Sequence, residues 1–351
     1  MGAVMENNKK SRVTLAGIAE IAGVSRSAVG HILNGRGDKL RIARETQEKV
    51  RKIAEEKGYL MNFAVRQLRS SRTCQVAYVM TGASAGSLNP FALSMMRHLQ
   101  QKDYQTLIID VDLKSLEIAP IFQTRRFDGI VIDGVVPNQS FFEEWAEKHA
   151  VPYIYLNHES KDANHAGIDE EATAEILVDE LFRMGYRKIA YYFPRTVNSN
   201  LLFPEDYVFK REQSLAKALS KRSLKIYPNT VEQRLQNENT AEFLMTLPEP
   251  PDCVIGFDAF HGIAFKRHIA ALGLSAPEDV GLVVYEMSKY NKAADICGIQ
   301  FDFEQIGKDL ANMILERIKN GKEQKNRLTP GKVDYIDKSA NSLRPFRGSC
   351  L

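Results

Sequence analysis

What this chain has little of narrows its possible functions first. It has four cysteines, Cys74, Cys253, Cys297 and Cys350, and none lies in a CxxC spacing. That fits neither a disulfide framework nor a zinc site, so four reduced thiols are expected. The longest apolar runs, such as "GIVIDGVV" at 129–136, fall far short of the ~20 residues a membrane helix needs. The N-terminal "MGAVMENNKKSR" lacks the apolar centre of a secretory signal. A cytoplasmic protein with no membrane partner is therefore expected. GxGxxG, GxxxxGK[ST] and HExxH are missing, and no catalytic set emerges, so neither an enzyme nor a cofactor is expected. Asp110 and Asp112 form a DxD after a strand-like stretch; such carboxylates more often cap a helix than hold a metal, and no metal site is expected. His158, His165, His261 and His268 are dispersed and read as surface or packing residues.

Charge is scarce in total but unevenly spread. The net formal charge is only +3. Residues 1–73 nevertheless hold 15 Lys and Arg against 7 Asp and Glu, leaving 32 basic and 37 acidic residues for the rest. A basic head on a mildly acidic body points to a polyanion partner for the head alone. At 351 residues the chain is long for one domain, since domains run to roughly 100–200 residues. Its 44% hydrophobic and 26% charged content is ordinary for a globular protein.

The head carries a recognisable pattern in "TLAGIAEIAGVSRSAVGHILN", residues 14–34. Leu15, Ile18, Ala19 and Ala22 recur at helical spacing after Thr14, a suitable N-cap. Gly23 ends that helix, because glycine enters the left-handed region without strain. Ser25 caps a second helix whose Ala28, Val29, Ile32 and Leu33 form the core face. Arg26, Ser27, Gly30, His31 and Asn34 fall on the opposite face. Two tightly crossing helices of this kind suit a helix-turn-helix, and "RETQEKVRKIAEEKGY" at 44–59 supplies the third helix the core needs. Arg26, Ser27 and His31 then face a major groove, where they can donate to or accept from base edges. The basic stretch "NFAVRQLRSSRT" at 62–73 is too short for a stable isolated helix, but it could order against a partner and present Leu68 as a minor-groove wedge. An ordinary basic linker is the competing reading of that stretch.

From residue 75 strands alternate with helices. Strands are expected at 75–80, 104–111, 128–134, 152–157, 188–193, 224–229, 252–258, 280–286 and 297–303, and "KVDYIDK" is strand-like. Helices are expected at 90–101, 115–124, 139–149, 170–184, 207–220, 238–247, 259–272 and 304–319. Two successive blocks of this kind imply two parallel, doubly wound sheets. Ligands bind such sheets beyond the carboxyl ends of the strands, here between two lobes.

Architecture and motifs together resemble the lac-repressor (LacI/GalR) family of bacterial transcription regulators over about residues 13–346. The head motif "VTLAGIAEIAGVSRSAVGHILNG" is the most specific part. "GYLMNFAVRQLRSSRT" resembles the family hinge, and "NPF", "RRFDGIVI", "MGYRKIA", "APEDVGLVVYE" and the final "LRP" resemble body signatures. The resemblance implies a helix-turn-helix head over 1–60, a hinge over 61–73 and an effector-binding and dimerisation body over 74–351. The body's first lobe would span about 74–170 and 302–331, and its second about 171–301 and 332–346, in the fold of periplasmic binding proteins. It further implies a homodimer on a pseudo-palindromic double-stranded DNA operator, most commonly as a repressor, with a small-molecule effector altering affinity. By position, Arg26, Ser27 and His31 read bases; Thr14, Ser25 and Asn34 contact phosphates; Leu68 and Arg69 belong to the hinge. Phe91, Asn157, Arg211, Phe257, Asp258, Glu286 and Phe301 fall on pocket positions.

The departures from the family carry expectations too. Gly30 and His31 replace the usual Ser and Arg, so a distinct operator is expected. The loop "GRGDKLRIAR" at 35–44 is longer than in the lac repressor itself, and its Arg36, Lys39 and Arg41 are candidates for added backbone contacts. Phe257 and Phe301 replace amides, which favours a ligand with a stackable face and a charged group; a sugar or sugar derivative stays among the candidates. No leucine heptad follows residue 346, so a dimer is expected rather than a tetramer. Two other readings compete: an α/β enzyme with an accessory helix-turn-helix, and a receptor whose head binds protein.

Overall fold

The computed structural model describes residues 13–33, 35–59, 72–80, 90–111, 121–124, 126–134, 139–158, 164–192, 207–227, 239–287, 289–321 and 325–334. The chain divides into two units, Met1–Thr73 and Cys74–Leu351.

The first unit contains α1 (Leu15–Ala22), α2 (Arg26–Leu33) and α3 (Arg44–Glu56). Thr14 Oγ1 accepts from the Gly17 amide at 3.2 Å, and Ser25 Oγ accepts from Ala28 at 3.1 Å. Each cap satisfies an amide that the first helical turn leaves without an intrahelical partner. Gly23 closes α1 at φ 70°, which turns the chain sharply enough for α2 to cross back. Ile18, Val29 and Val50 are fully buried and Ile32 nearly so. Each such side chain contributes about 1.5–3 kcal/mol.

Two features of this unit depart from expectation. Gly30 is buried rather than on the outer face, so the outer face of α2 is narrower than its polar pattern suggests. Gln47, on α3, is only 3% exposed. Its Nε2 donates to Asp38 Oδ1 at 2.9 Å and to the Ile42 carbonyl at 2.8 Å. A Cβ on Gly37 would lie 2.3 Å from the Gln47 carboxamide, so the loop after α2 closes on this one side chain.

The second unit holds two six-stranded sheets. Sheet one comprises β1 (Gln75–Met80), β2 (Gln105–Asp110), β3 (Gly129–Asp133), β4 (Tyr153–Leu156), β5 (His165–Ile168) and β11 (Arg327–Thr329), in the order β11-β5-β4-β3-β1-β2 and parallel throughout. Sheet two comprises β6 (Lys188–Tyr192), β7 (Lys225–Tyr227), β8 (Cys253–Gly256), β9 (Gly281–Val284), β10 (Cys297–Gln300) and β12 (Lys332–Asp334), in the order β12-β10-β9-β8-β6-β7. Its edge strand β12 runs antiparallel to β10, which corrects the expectation of a wholly parallel sheet. Central strands such as β8 and β9 are buried along their whole length, as helices on both faces require.

The helices of this unit are α4 (Pro90–Gln100), α5 (Ile121–Thr124), α6 (Gln139–Lys148), α7 (Glu170–Arg183), α8 (Tyr207–Lys221), α9 (Asn239–Met245), α10 (Ala259–Ala271), α11 (Lys289–Ala294) and α12 (Phe303–Asn320). Strands β5 and β11 and the short α11 were not expected; the first half of the helix expected at 115–124 lies outside the described residues. The chain passes between the sheets three times: from β5 into α7, from β10 into α12, and from β11 into β12. The crossings are bonded to one another, Asp169 N to the Thr329 carbonyl at 3.0 Å and Gly331 N to Thr173 Oγ1 at 3.0 Å.

Replacing Gln47 with Leu keeps the volume but strips donors from Asp38 and the Ile42 carbonyl. The head is then expected to lose about 1–3 kcal/mol, read as an earlier urea transition followed by backbone amide signals of the head in the full chain. An unchanged midpoint would mean that Gly37 and the backbone hold the loop without it.

Candidate functional site

The carboxyl ends of the strands place the candidate residues of the body. Phe257 and Asp258 follow β8, Tyr285 and Glu286 follow β9, Phe301 follows β10, Asn157 follows β4, and Asp133 ends β3. Arg211 reaches this region from α8 and Glu170 from the first turn of α7.

Arg211 is 0% exposed. Its Nε donates to Glu170 Oε2 at 3.2 Å and its Nη2 to Glu170 Oε1 at 3.1 Å; Glu286 Oε2 stands 3.8 Å away. The guanidinium also lies 4.4 Å from the Tyr285 ring centroid and 4.8 Å from that of Phe257. Burial works against its charge, but Glu170 and then Tyr191 and Glu286 outweigh that, and its pKa stands well above the ordinary arginine value. The Tyr285 hydroxyl donates to the Glu170 carbonyl at 3.1 Å. This corrects the expectation that Arg211 offers an open cation to a ligand: the side chain is a buried clamp. Glu170 and Tyr285, which the sequence did not single out, complete it. Glu170 reads in sequence as one more acid in a helical first turn, so only its burial sets it apart.

The carboxylates are placed differently. Glu286 is 29% exposed in its side chain. Burial pushes its pKa up, and Asp258, Glu170 and Asp133 push it further against the pull of Arg211. Asp258 caps α10, accepting from the His261 amide at 3.0 Å and contacting His261 Nδ1 at 2.6 Å. Burial opposes its charge, yet the His261 contacts and the Phe260 amide hold its pKa below the usual carboxylate range. Asp133 accepts from the Tyr78 hydroxyl; burial first, and then Asp133, raise that phenol well above its ordinary value.

The aromatic candidates are packed inward. Phe91 and Phe301 are each 2% exposed and Phe257 8%. Phe91 meets Phe303 edge-on at 4.9 Å, and Phe301 lies 6.4 Å from Phe303 and 6.3 Å from Tyr285. Asn157 has φ 52°, and its Oδ1 accepts from the Ile168 amide at 3.0 Å, so its carbonyl is committed to β5. A groove of about 780 Å³ runs along the crossings, lined by Pro90, Leu93, Arg97, Phe301 and Lys332 among others. Of the candidate pocket residues it includes Phe301 alone, and it lies apart from the carboxylates. No group of metal-ligating side chains occurs among the described residues. One GxSxG spacing is present, "GASAG" at 82–86, outside the described residues, and it is assigned no function.

In the head, Arg26 and Ser27 are exposed on the first turn of α2, and His31 is half-buried one turn on. Arg36, Lys39 and Arg41 are exposed on the loop that Gln47 closes. Thr14 and Ser25 stand at helix N-termini with their hydroxyls capping. Asn34, Leu68 and Arg69 lie outside the described residues.

Replacing Glu170 with Gln leaves the buried guanidinium with Glu286 as its remaining carboxylate. Removing one member of a buried pair costs roughly 3–5 kcal/mol, so a large fall in the urea midpoint of the body is expected. A loss below about 1 kcal/mol would show that Glu286 alone suffices.

Residues 14–62 match the family described as bacterial regulatory proteins, lacI family, and residues 178–335 match a periplasmic binding protein-like domain. The sucrose operon repressor of Klebsiella pneumoniae is 27% identical over 158 residues, 44% of this chain and 47% of its own length. The catabolite repressor/activator of Escherichia coli K12 is 28% identical over 185 residues, 50% of this chain and 54% of its own. The chain thus spans about half the length of these two relatives. The HTH-type transcriptional regulator CelR of Thermobifida fusca is 23% identical over 329 residues, 88% of this chain and 93% of its own. Among solved structures, the lac repressor dimer bound to operator and the anti-inducer ONPF aligns with TM-score 0.71 at 17% identity, covering 92% of this chain and 98% of that one. A CelR–cellobiose complex aligns at TM-score 0.62 and 20% identity with the same coverage. With a three-helix head in which α2 crosses α1 after a glycine turn, and a two-sheet body behind it, the chain belongs to the lacI family of bacterial regulatory proteins.

Proposed function

We propose that the protein is a ligand-responsive, sequence-specific transcriptional regulator, a repressor that binds a pseudo-palindromic DNA operator as a homodimer. A small molecule between the two lobes of the body alters its affinity for DNA. The observation that carries this reading is the exposed first turn of α2, where Arg26 and Ser27 stand free of the core on a basic three-helix head. Arg26 has the reach and geometry for a bidentate contact with guanine, and Ser27 and His31 can accept from or donate to neighbouring bases. Thr14 and Ser25, at helix N-termini, are placed for phosphate oxygens. Asn34, Leu68 and Arg69 are assigned to the same interface by resemblance. The lac repressor relative is a dimer on its operator, and the CelR relative holds cellobiose; both favour the reading. It places the protein in the cytoplasm, at the nucleoid, as a binding protein rather than an enzyme.

Self-association has a candidate surface in the first lobe. Leu93 on α4 is 45% exposed and Ile108 on the edge strand β2 is 43% exposed, and α4 packs against β2. An unbroken edge bearing apolar side chains is a ready docking face. Replacing Leu93 with Glu is expected to turn the dimer into a monomer in sedimentation equilibrium, with weaker operator binding following from it. A dimer constant within twofold of wild type would refute this surface.

The central test is selection of genomic fragments by the purified protein at several salt concentrations. An enriched palindrome is expected, bound with an affinity that falls steeply as salt rises. Replacing Arg26 with Ala should relax discrimination at one symmetric operator position by roughly 1–3 kcal/mol. An unaltered base preference would remove Arg26 from the reading face, and selection without any enriched sequence would overturn the proposal.

A further inference from the structure

We infer that the cleft selects a ligand that carries a protonated amine. The inference rests on the reading of the cleft as an effector site, and it follows from which charges there are open and which are spent. Arg211 is not open: it is 0% exposed, bonded through Nε and Nη2 to Glu170, and covered by the Tyr285 and Phe257 rings. An anionic ligand therefore finds no cation at this guanidinium.

The carboxylates remain reachable. Glu286 and Asp258 keep 29% and 28% of their side chains exposed, and Asp133 is half-buried. They stand at the carboxyl ends of β9, β8 and β3, where this architecture receives ligands. One guanidinium faces two carboxylates, Glu170 and Glu286, and its direct hydrogen bonds all go to Glu170 among those given above. Tyr78 supplies Asp133 with a hydroxyl but no charge. Asp133 belongs to the other lobe from Glu286, yet its field reaches Glu286, so the strand ends of the two sheets look onto one space. An ammonium group in that space meets carboxylates from both lobes, so it both neutralises them and ties the lobes together. A carboxylate ligand adds to the like charge. A neutral polyol can donate hydroxyl hydrogens to the same oxygens but leaves the excess charge in place.

The test uses matched probe trios that differ only in charge: phenethylamine, 2-phenylethanol and phenylacetate, and glucosamine, glucose and gluconate. Thermal unfolding is followed for the full-length wild type and for Glu286→Gln. The amine of at least one trio is expected to raise the wild-type midpoint by about 2 °C or more at concentrations where its neutral and acidic counterparts do not. Glu286→Gln should lose that shift. A neutral or acidic member that stabilises as much as the amine overturns the proposal. Should every probe be silent, the variant decides alone. A raised midpoint for ligand-free Glu286→Gln shows that the carboxylate stands in an excess of negative charge and supports the proposal; an unchanged or lowered midpoint overturns it. Operator binding by the same samples separates the two readings. Wild type that fails to bind DNA refutes the regulator, whereas intact DNA binding with a preference for neutral probes refutes only the amine.

Discussion

One guanidinium, withdrawn completely from water, determines much of how the body is built. Burying Arg211 is unfavourable unless its donors and its charge are met, and Glu170 meets both from the first turn of the helix that follows a crossing between the sheets. The same residue accepts from Tyr285 through its carbonyl, so side chain and backbone of Glu170 hold α8 and the end of β9 to one point. Asp169, its neighbour, is bonded to the β11 end of a second crossing. The clamp therefore fixes the floor of the cleft, and the groups left to face a ligand are those it does not consume.

This arrangement explains which parts were legible beforehand. Helices α1 and α2 show in "LAGIAEIA" and "RSAVGHIL" because a solvated helix must repeat its apolar side chains every three or four positions. The central strands show as apolar runs because both faces of each sheet are covered. The short strands β5 and β11, with four and three residues, are too brief for any period to register. The antiparallel sense of β12 depends on where the preceding crossing ends, which no local pattern records.

Residue roles were less legible than elements. Gln47 looks like one more polar residue on the wet side of α3, and only its loop partners reveal that it is internal. Resemblance carried Arg211, Phe91 and Phe301 to the cleft by position. Position does not say which way a side chain is spent: Phe91 and Phe301 pack through Phe303, and Arg211 answers Glu170. Glu286 and Asp258, placed by the same reasoning, keep part of their surface open.

The link between the last two strands has a consequence for how the body comes apart. Strand β11 edges one sheet and β12 edges the other, and only Pro330 and Gly331 separate them. Gly331 is wedged so closely that an added Cβ would lie 2.1 Å from Ile299. Peeling either edge strand pulls directly on the other, because two residues offer no slack to absorb the strain. The lobes are free to pivot about this seam, but neither can fray at its edge without unzipping its neighbour, and the body is built to melt as one piece.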